Sequence, residues 1–361
     1  MKNILIITNH SFMLWQFRRE LIGAMLRQGH RVTISVPFGD HIEDFKAMGC
    51  EMIDTPVDRR GINPVKDLSL YRRYRRLLKD VKPDVVVTYS IKPNIYAGFA
   101  CRQMGIPCCV NVQGLGTAFE KPGIAQLVTA MYKVAIKKAQ VVFFENEGDA
   151  AAFRDKGITP ASQQKVLRGA GVNLDFYAQQ PYPRNDMVHF LYLGRVMQEK
   201  GIDELFASVR RLHQEGQRFM LDLVGFYEEG YKDQVDALIA EGICKFHGFQ
   251  IDPRPFYAAT DCVILPSYHE GMSNVLLEGA AICRPLITTD IPGCREAVEP
   301  GVSGLTCTVK DTDSLYDAMK HFLSLTREQR EAMGIAGRQR MESIFDKNSV
   351  VEQTLTAIFP N

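Results

Sequence analysis

Residues 188–214 read VHFLYLGRVMQEKGIDELFASVRRLHQ, and the three parts of this stretch decide the fold. Val188–Leu193 is a short apolar run of strand length. Ile202, Leu205, Phe206, Val209 and Leu212 recur instead at helical spacing, which predicts a helix over Ile202–Gln214. Between them LGRVMQEKG, Leu193–Gly201, passes directly from strand to helix. Arg195 and Lys200 therefore project from a strand-to-helix loop, where cations clamp phosphates beside a helix N-terminus. The plainer reading of loop cations is that they face water.

The same unit recurs along the chain. Upstream, strands are expected at Ile4–Thr8, Arg31–Val36, Asp84–Thr88, Cys108–Val112 and Val141–Phe144. The helices expected between them are Trp15–Gln28, Leu68–Lys79, Ile95–Met104 and Ala125–Lys138. After the proline-marked PYPRND the pattern restarts, with strands at Val188–Leu193, Phe219–Val224, Cys262–Leu265 and Pro285–Thr288. Helices near Ile202–Gln214, Lys232–Ile239 and Asn274–Ile282 alternate with them. Two β-α-β series make an α/β protein of two Rossmann-like domains, each a parallel sheet covered by helices on both faces. The division expected is 1–175, 176–345 and a closing helical segment, 346–361, that crosses back to the first domain. LRGAGVNLDFY reads as the hinge. Ligands of doubly wound sheets bind beyond the C-terminal ends of the strands, so two such domains are expected to face a deep interdomain cleft.

Composition narrows the function. The chain has 361 residues, 46% hydrophobic and 24% charged, enough for two sizeable cores. A formal net charge of +1 argues against bulk capture of nucleic acid. No apolar run approaches the roughly 18 residues of a membrane span. MKNILIITNH reads as a first buried strand rather than a signal peptide. Nine scattered cysteines without a C-x-x-C pair fit reduced cytosolic thiols, not disulfides or a zinc site.

A second stretch, YHEGMSNVLLEGAA at 268–281, carries two glutamates. Glu270 stands in a strand-to-helix turn before a helix that starts near Ser273 or Asn274, where free backbone N–H groups are presented. Glu278 falls about one turn into that helix among Val275, Leu276, Leu277, Ala280 and Ala281. A carboxylate there is unstable unless something hydrogen-bonds it. The bland alternative is an acid that merely favours the helix dipole.

With G-R-x-x-x-x-K-G at Gly194–Gly201, E-x7-E at Glu270–Glu278 and GVNLDFY before them, the sequence resembles the retaining glycosyltransferases of family 4, which have the GT-B fold. The resemblance covers essentially the whole chain and implies site roles. Arg195 and Lys200 would bind the donor diphosphate, Glu270 would contact the transferred sugar, and Glu278 would hold the ribose hydroxyls. Gly194 and the Met272, Ser273, Asn274 and Val275 N–H groups would meet the distal phosphate. The KFHGF loop, with Phe249, would pack against the nucleobase through main-chain groups; for His247 and His269 a satisfied structural histidine is the competing reading. Gln113 stands where many relatives have a histidine that contacts the donor sugar, and TNHSFMLWQFR lacks their paired glycines. YSIKPNIYAG, Tyr89–Gly98, is similar to bacterial transferases that extend sugars on undecaprenyl diphosphate for capsule, O-antigen or protein glycans. Lys92 and Asn94 at a helix start, with His10 and Ser11, are the expected acceptor-binding residues; a proline-initiated helix with a solvated Lys92 is the alternative.

The expected reaction moves a hexose or N-acetylhexosamine, of galactose or N-acetylgalactosamine type, from a UDP-sugar to an undecaprenyl-diphosphate-linked sugar. No cofactor is expected: no D-x-D motif near a strand end demands a metal, and cations with the helix N-terminus would stabilise the leaving diphosphate. The resemblance implies same-face attack by the acceptor hydroxyl, with the departing phosphate taking its proton. No dehydrogenase fingerprint is present, since Gly114-Leu115-Gly116 lacks its third glycine, and no Walker motif appears. Basic helices at Tyr71–Lys82 and Met131–Ala139 point to an anionic membrane surface as a partner, hence a cytoplasmic protein peripheral to the inner face of the cell membrane; solvated charged faces are the alternative. Three rival readings remain: a nucleotide-sugar epimerase of the same fold, a two-domain binding protein, and a transferase acting on a soluble acceptor.

Overall fold

A computed structural model describes residues 1–58, 63–115, 119 and 123–360. Gly116 lies outside them. The chain forms two compact units, Met1–Ala170 with Asn348–Asn361, and Gly171–Lys347. The break falls five residues before the expected 175/176 division, between Gly169 and Gly171, both at positive φ. Residues after it join the second unit because Val172 and Tyr177 are buried in that unit's core.

The first unit runs β1 (Asn3–Ile7), α1 (Ser11–Arg27), β2 (Arg31–Val36), α2 (Ile42–Ala47), β3 (Glu51–Asp54) and α3 (Pro64–Val81). It continues with β4 (Val85–Tyr89), α4 (Ile91–Met104), β5 (Cys108–Val112), α5 (Ile124–Ala135), β6 (Val141–Phe144), α6 (Glu147–Asp155) and β7 (Gln164–Val166). Its seven strands, all parallel, lie in the order β3-β2-β1-β4-β5-β6-β7. Runs such as VVVTY and CCVNV are buried along their whole length, as strands covered on both faces must be.

The second unit runs β8 (Val188–Leu193), α7 (Ile202–Gln214), β9 (Phe219–Val224), α8 (Lys232–Ala240), β10 (Cys244–Phe246) and α9 (Arg254–Ala259). Then come β11 (Cys262–Leu265), α10 (Asn274–Ala281), β12 (Leu286–Thr289), β13 (Gly304–Cys307), α11 (Thr312–Ser324) and α12 (Arg327–Ile344). Its six parallel strands are ordered β10-β9-β8-β11-β12-β13. The last helix, α13 (Lys347–Ile358), lies in the first unit, where Val350, Leu355 and Ile358 join Ile4 and Ile6 in one core. The Gln140 side chain fastens its end by donating to the Ala357 and Ile358 carbonyls at 3.0 and 2.9 Å.

Strand order fixes where ligands go. In each sheet the direction of winding reverses once, between β1 and β4 and between β8 and β11, and a crevice opens beyond the strands there. Both sequence motifs of the second unit sit on loops at its reversal, after β8 and after β11. Several expected boundaries differ, three of them at expected site or membrane-contact residues. Helix α1 begins at Ser11, so the opening loop shrinks to Thr8–His10. Lys245 and Phe246 lie inside β10 rather than after it, and α5 stops at Ala135, short of Lys137 and Lys138.

Candidate active site

The two loops at the β8/β11 reversal are packed backbone to backbone. Gly201 has φ +71°, and a Cβ on it would lie 2.0 Å from the Pro266 carbonyl oxygen. The Tyr268 N–H donates to the Glu199 carbonyl at 2.9 Å, tying the same loops a second time. This contact sets Lys200 Nζ 2.5 Å from Glu270 Oε1, which also accepts from Ser267 Oγ at 2.8 Å. Gly293 supports the other side: a Cβ there would lie 2.5 Å from the Glu270 carbonyl oxygen. Arg195 is the more open cation, 43% exposed, with Glu228 at 3.8 Å and its own carbonyl accepting from the buried Tyr192 hydroxyl at 2.5 Å.

Ser273 caps α10, its side chain accepting from the Leu276 N–H. The Ser273 N–H donates to the Gly293 carbonyl at 2.9 Å, so it is not open to a phosphate, contrary to the sequence expectation. Met272 is buried in the core. The N–H groups of Asn274 and Val275 remain without a partner among the described residues, and they start a helix beside Lys200 and Glu270. Gly194, at φ +156°, begins the loop that carries Arg195.

Glu278 is buried, and the protein itself supplies donors to it. The Tyr257 hydroxyl donates to Glu278 Oε2 at 2.9 Å, and Tyr177 is a second hydrogen-bond partner. The hydrogen-bond donors that the sequence requires for this carboxylate come in part from these two tyrosines. Burial pushes its pKa up to about 7 even though both tyrosines and Lys347 pull it down. In the KFHGF loop Phe249 is exposed, edge-on to Phe226 at 6.3 Å. His247 is held by Asp222, whose two oxygens bind His247 Nε2 and His189 Nδ1 at 2.7 Å each. Burial of Asp222 opposes its charge, but the two histidine hydrogen bonds outweigh it and hold the carboxyl below its usual range.

In the first unit, Thr8, Asn9, His10, Ser90 and Gln113 line a cavity of about 240 Å³ at the β1/β4 reversal. Ser90 is held at φ +75° with its hydroxyl on Asn9 Oδ1 at 2.7 Å, a strained conformation for a residue with a Cβ. Beneath it the buried Arg18 pairs with Glu145 at 2.8 Å and lies over the Tyr89 ring. Thus His10 and Gln113 come together. Ser11 does not join them: it is buried in the first turn of α1. Asn94 is likewise no surface ligand. It is 1% exposed, and its Nδ2 donates to the Asn111 carbonyl at 2.8 Å, because α4 starts at Ile91 and turns position 94 inward. Lys92 is neither solvated nor in that cavity. It pairs with the buried Asp67 at 2.9 Å and lines a separate cavity of about 410 Å³ with Lys66, Arg73 and Asp58.

Residues 14–170 match the family described as "glycosyl transferase 4-like domain", and residues 176–340 match "glycosyl transferases group 1". The chain belongs to this glycosyltransferase family. Its relatives include the N,N'-diacetylbacillosaminyl-diphospho-undecaprenol alpha-1,3-N-acetylgalactosaminyltransferase of Campylobacter jejuni, 22% identical, with 95% of this chain and 94% of that one covered. Another is the UDP-Gal:alpha-D-GlcNAc-diphosphoundecaprenol alpha-1,3-galactosyltransferase of Escherichia coli, 24% identical over 79% of this chain and 77% of its own. Among solved structures, a glycosyltransferase from Rickettsia africae ESF-5 superposes with a TM-score of 0.81 at 17% identity, covering 100% of this chain and 99% of its own. The Anabaena protein HepE in complex with UDP and glucose gives 0.79 at 16% identity, with 98% of each chain covered. These likenesses establish the GT-B fold for this glycosyltransferase. Sequence reasoning missed Ser267, Tyr177, Tyr257 and Asp222 as parts of this candidate site. Nothing in their local pattern separates them from core residues; Tyr177, Tyr257 and Asp222 act on partners distant in sequence, and Ser267 on Glu270 three residues on.

Proposed function

We propose that the protein is a retaining transferase that moves a hexose or N-acetylhexosamine, of galactose type, from a UDP-sugar to a sugar on undecaprenyl diphosphate. The observation that carries this reading is the Lys200–Glu270 pair beside the open Asn274 and Val275 N–H groups at the start of α10. As the glycosidic bond breaks, negative charge grows on the leaving diphosphate. Lys200, Arg195 and the α10 N-terminus offer it fixed positive charge without a metal. Glu270, held by Lys200 and Ser267, faces the sugar; Glu278 takes the ribose hydroxyls; the backbone near Phe249 takes the base. The acceptor hydroxyl attacks on the face the diphosphate leaves, and the departing phosphate accepts its proton.

Acceptor binding falls to the first unit, with His10 in its cavity beside Gln113, the residue read as a donor-sugar contact. The two undecaprenyl-diphosphate-using relatives support this acceptor class. Among the described residues no helix is long and apolar enough to cross a membrane. Exposed Arg72, Arg73, Arg75 and Arg76 on α3, with Lys133, Lys137 and Lys138, support contact with an anionic lipid surface at the inner face of the cell membrane. The test is incubation with several UDP-sugars, with and without a lipid-linked sugar. Transfer requires both substrates. Turnover of the donor alone into an epimer, or no turnover with any pair, would overturn the reading.

A further inference from the structure

Glu278 is a carboxylate of the site that the fold itself makes costly to charge. It is 8% exposed, on a helix whose neighbouring positions are apolar, and an ion there needs hydrogen-bond donors. Two tyrosines provide them from segments far apart in sequence. Tyr257, on α9, is fully buried and aims its hydroxyl at Glu278 Oε2. Tyr177 enters from the first turn of the second unit, its ring edge-on to that of Tyr257 at 6.2 Å. Both rings are themselves pinned. Arg284 donates to the Tyr257 carbonyl at 2.8 Å, and Arg338 of α12 donates to the Tyr177 carbonyl at 3.0 Å and the Ala281 carbonyl at 2.8 Å.

We propose that Tyr257 and Tyr177 are positioning residues that hold the Glu278 carboxylate charged and aimed, so that nucleotide binding tightens as pH rises through neutrality. The proposal rests on the reading of Glu278 as the ribose-binding group. Ribose hydroxyls donate to a carboxylate better than to a neutral carboxyl, so ligand affinity follows the charge of Glu278. The charged and titratable groups facing Glu278 agree with this assignment. Tyr257 from α9, Tyr177 from the segment before β8 and Lys347 at the start of α13 all favour the anion, against burial, which opposes it and wins. From the turn after α10, Arg284 spends its guanidinium hydrogen bonds on backbone carbonyls, and from α12 Arg338 gives its Nη1 to backbone carbonyls and its Nε to Glu342 Oε1 at 2.7 Å. The result is a carboxyl that titrates near 7, where a change in one donor is felt most.

The test uses the full chain, ¹³C-labelled at glutamate carboxyls, with the Glu278 resonance assigned by Glu278→Gln. The expected titration midpoint is near 7 in the wild type. It should rise by roughly one unit in Tyr257→Phe and also rise in Tyr177→Phe, since each removes a donor to the anion. Calorimetric titration with UDP then reads the consequence. In Tyr257→Phe the affinity at pH 7 should fall about fivefold, the loss of charged fraction that a one-unit shift produces, and should recover at pH 9. A purely structural role for the ring would leave a loss that pH does not repair. Unchanged Glu278 midpoints in both phenylalanine variants would overturn the proposal. Failure of the ribose reading looks different: Glu278→Gln would then bind UDP as the wild type does, while the carboxyl titrations still decide the tyrosines' role.

Discussion

Gly201→Ala tests whether the backbone contact between the two loops is what places Lys200. The residue sits at φ +71°, and a new Cβ would meet the Pro266 oxygen at 2.0 Å and its carbonyl carbon at 2.8 Å. A left-handed conformation costs a residue with a Cβ about 1 to 2 kcal/mol. Relieving the overlap toward ordinary contact, about 3.5 Å between carbons, needs movement of more than 1 Å. Together these should destabilise the protein by about 2 to 4 kcal/mol. The same movement draws Lys200 away from Glu270, and misplacement by about 1 Å costs on the order of a hundredfold in rate. Gly230→Ala is the control, since nothing lies within 4 Å of its added carbon. The assay is sugar transfer under saturating donor, with thermal melting of each variant to show that the folded fraction is complete. A Gly201→Ala protein with wild-type kcat and Tm would refute the loop argument.

Three further outcomes are expected. Arg195→Ala should lower kcat about a hundredfold, or roughly 3 kcal/mol, by removing a cation from the leaving diphosphate; steady-state kinetics with saturating donor check it. Glu278→Gln should weaken UDP yet stabilise the free protein by roughly 2 to 3 kcal/mol at pH 8. The sign follows from its carboxyl, raised from 4.5 to about 7. The folded state binds the extra proton, so stability is lost as pH rises between those values, and urea melts at pH 5 and 8 should show the gain only at the higher pH. Asn94→Ala should cost about 1 to 3 kcal/mol in urea unfolding by stranding the Asn111 carbonyl, with acceptor KM unchanged.

Much of this arrangement is legible in the sequence, for definite reasons. Strands such as β6 and β11 are fully buried apolar runs, so their limits follow from hydrophobicity alone. Arg195, Lys200 and Glu270 stand on loops that follow strands and Glu278 on α10, and their spacing marks the candidate site without coordinates. The start of α1 was not legible because His10 provides no side-chain cap and no proline marks the turn. Asn94 looked like an anion ligand because Lys-Pro-Asn resembles a helix start, yet α4 begins at Ile91, and the phase of the helix points Asn94 into the core. Lys92 meets Asp67 only because α3 and α4 pack side by side. The donors to Glu278 were invisible for a similar reason: Tyr257 comes from α9, and Tyr177 from the segment before β8, both far from Glu278 in sequence.

The most direct measurement is a crystal structure of the protein with UDP. The account predicts the diphosphate on the Asn274 and Val275 N–H groups and Lys200 Nζ, and both ribose hydroxyls on the Glu278 carboxylate. UDP bound elsewhere, or bound with its ribose away from Glu278 and its phosphates away from the start of α10, would contradict it.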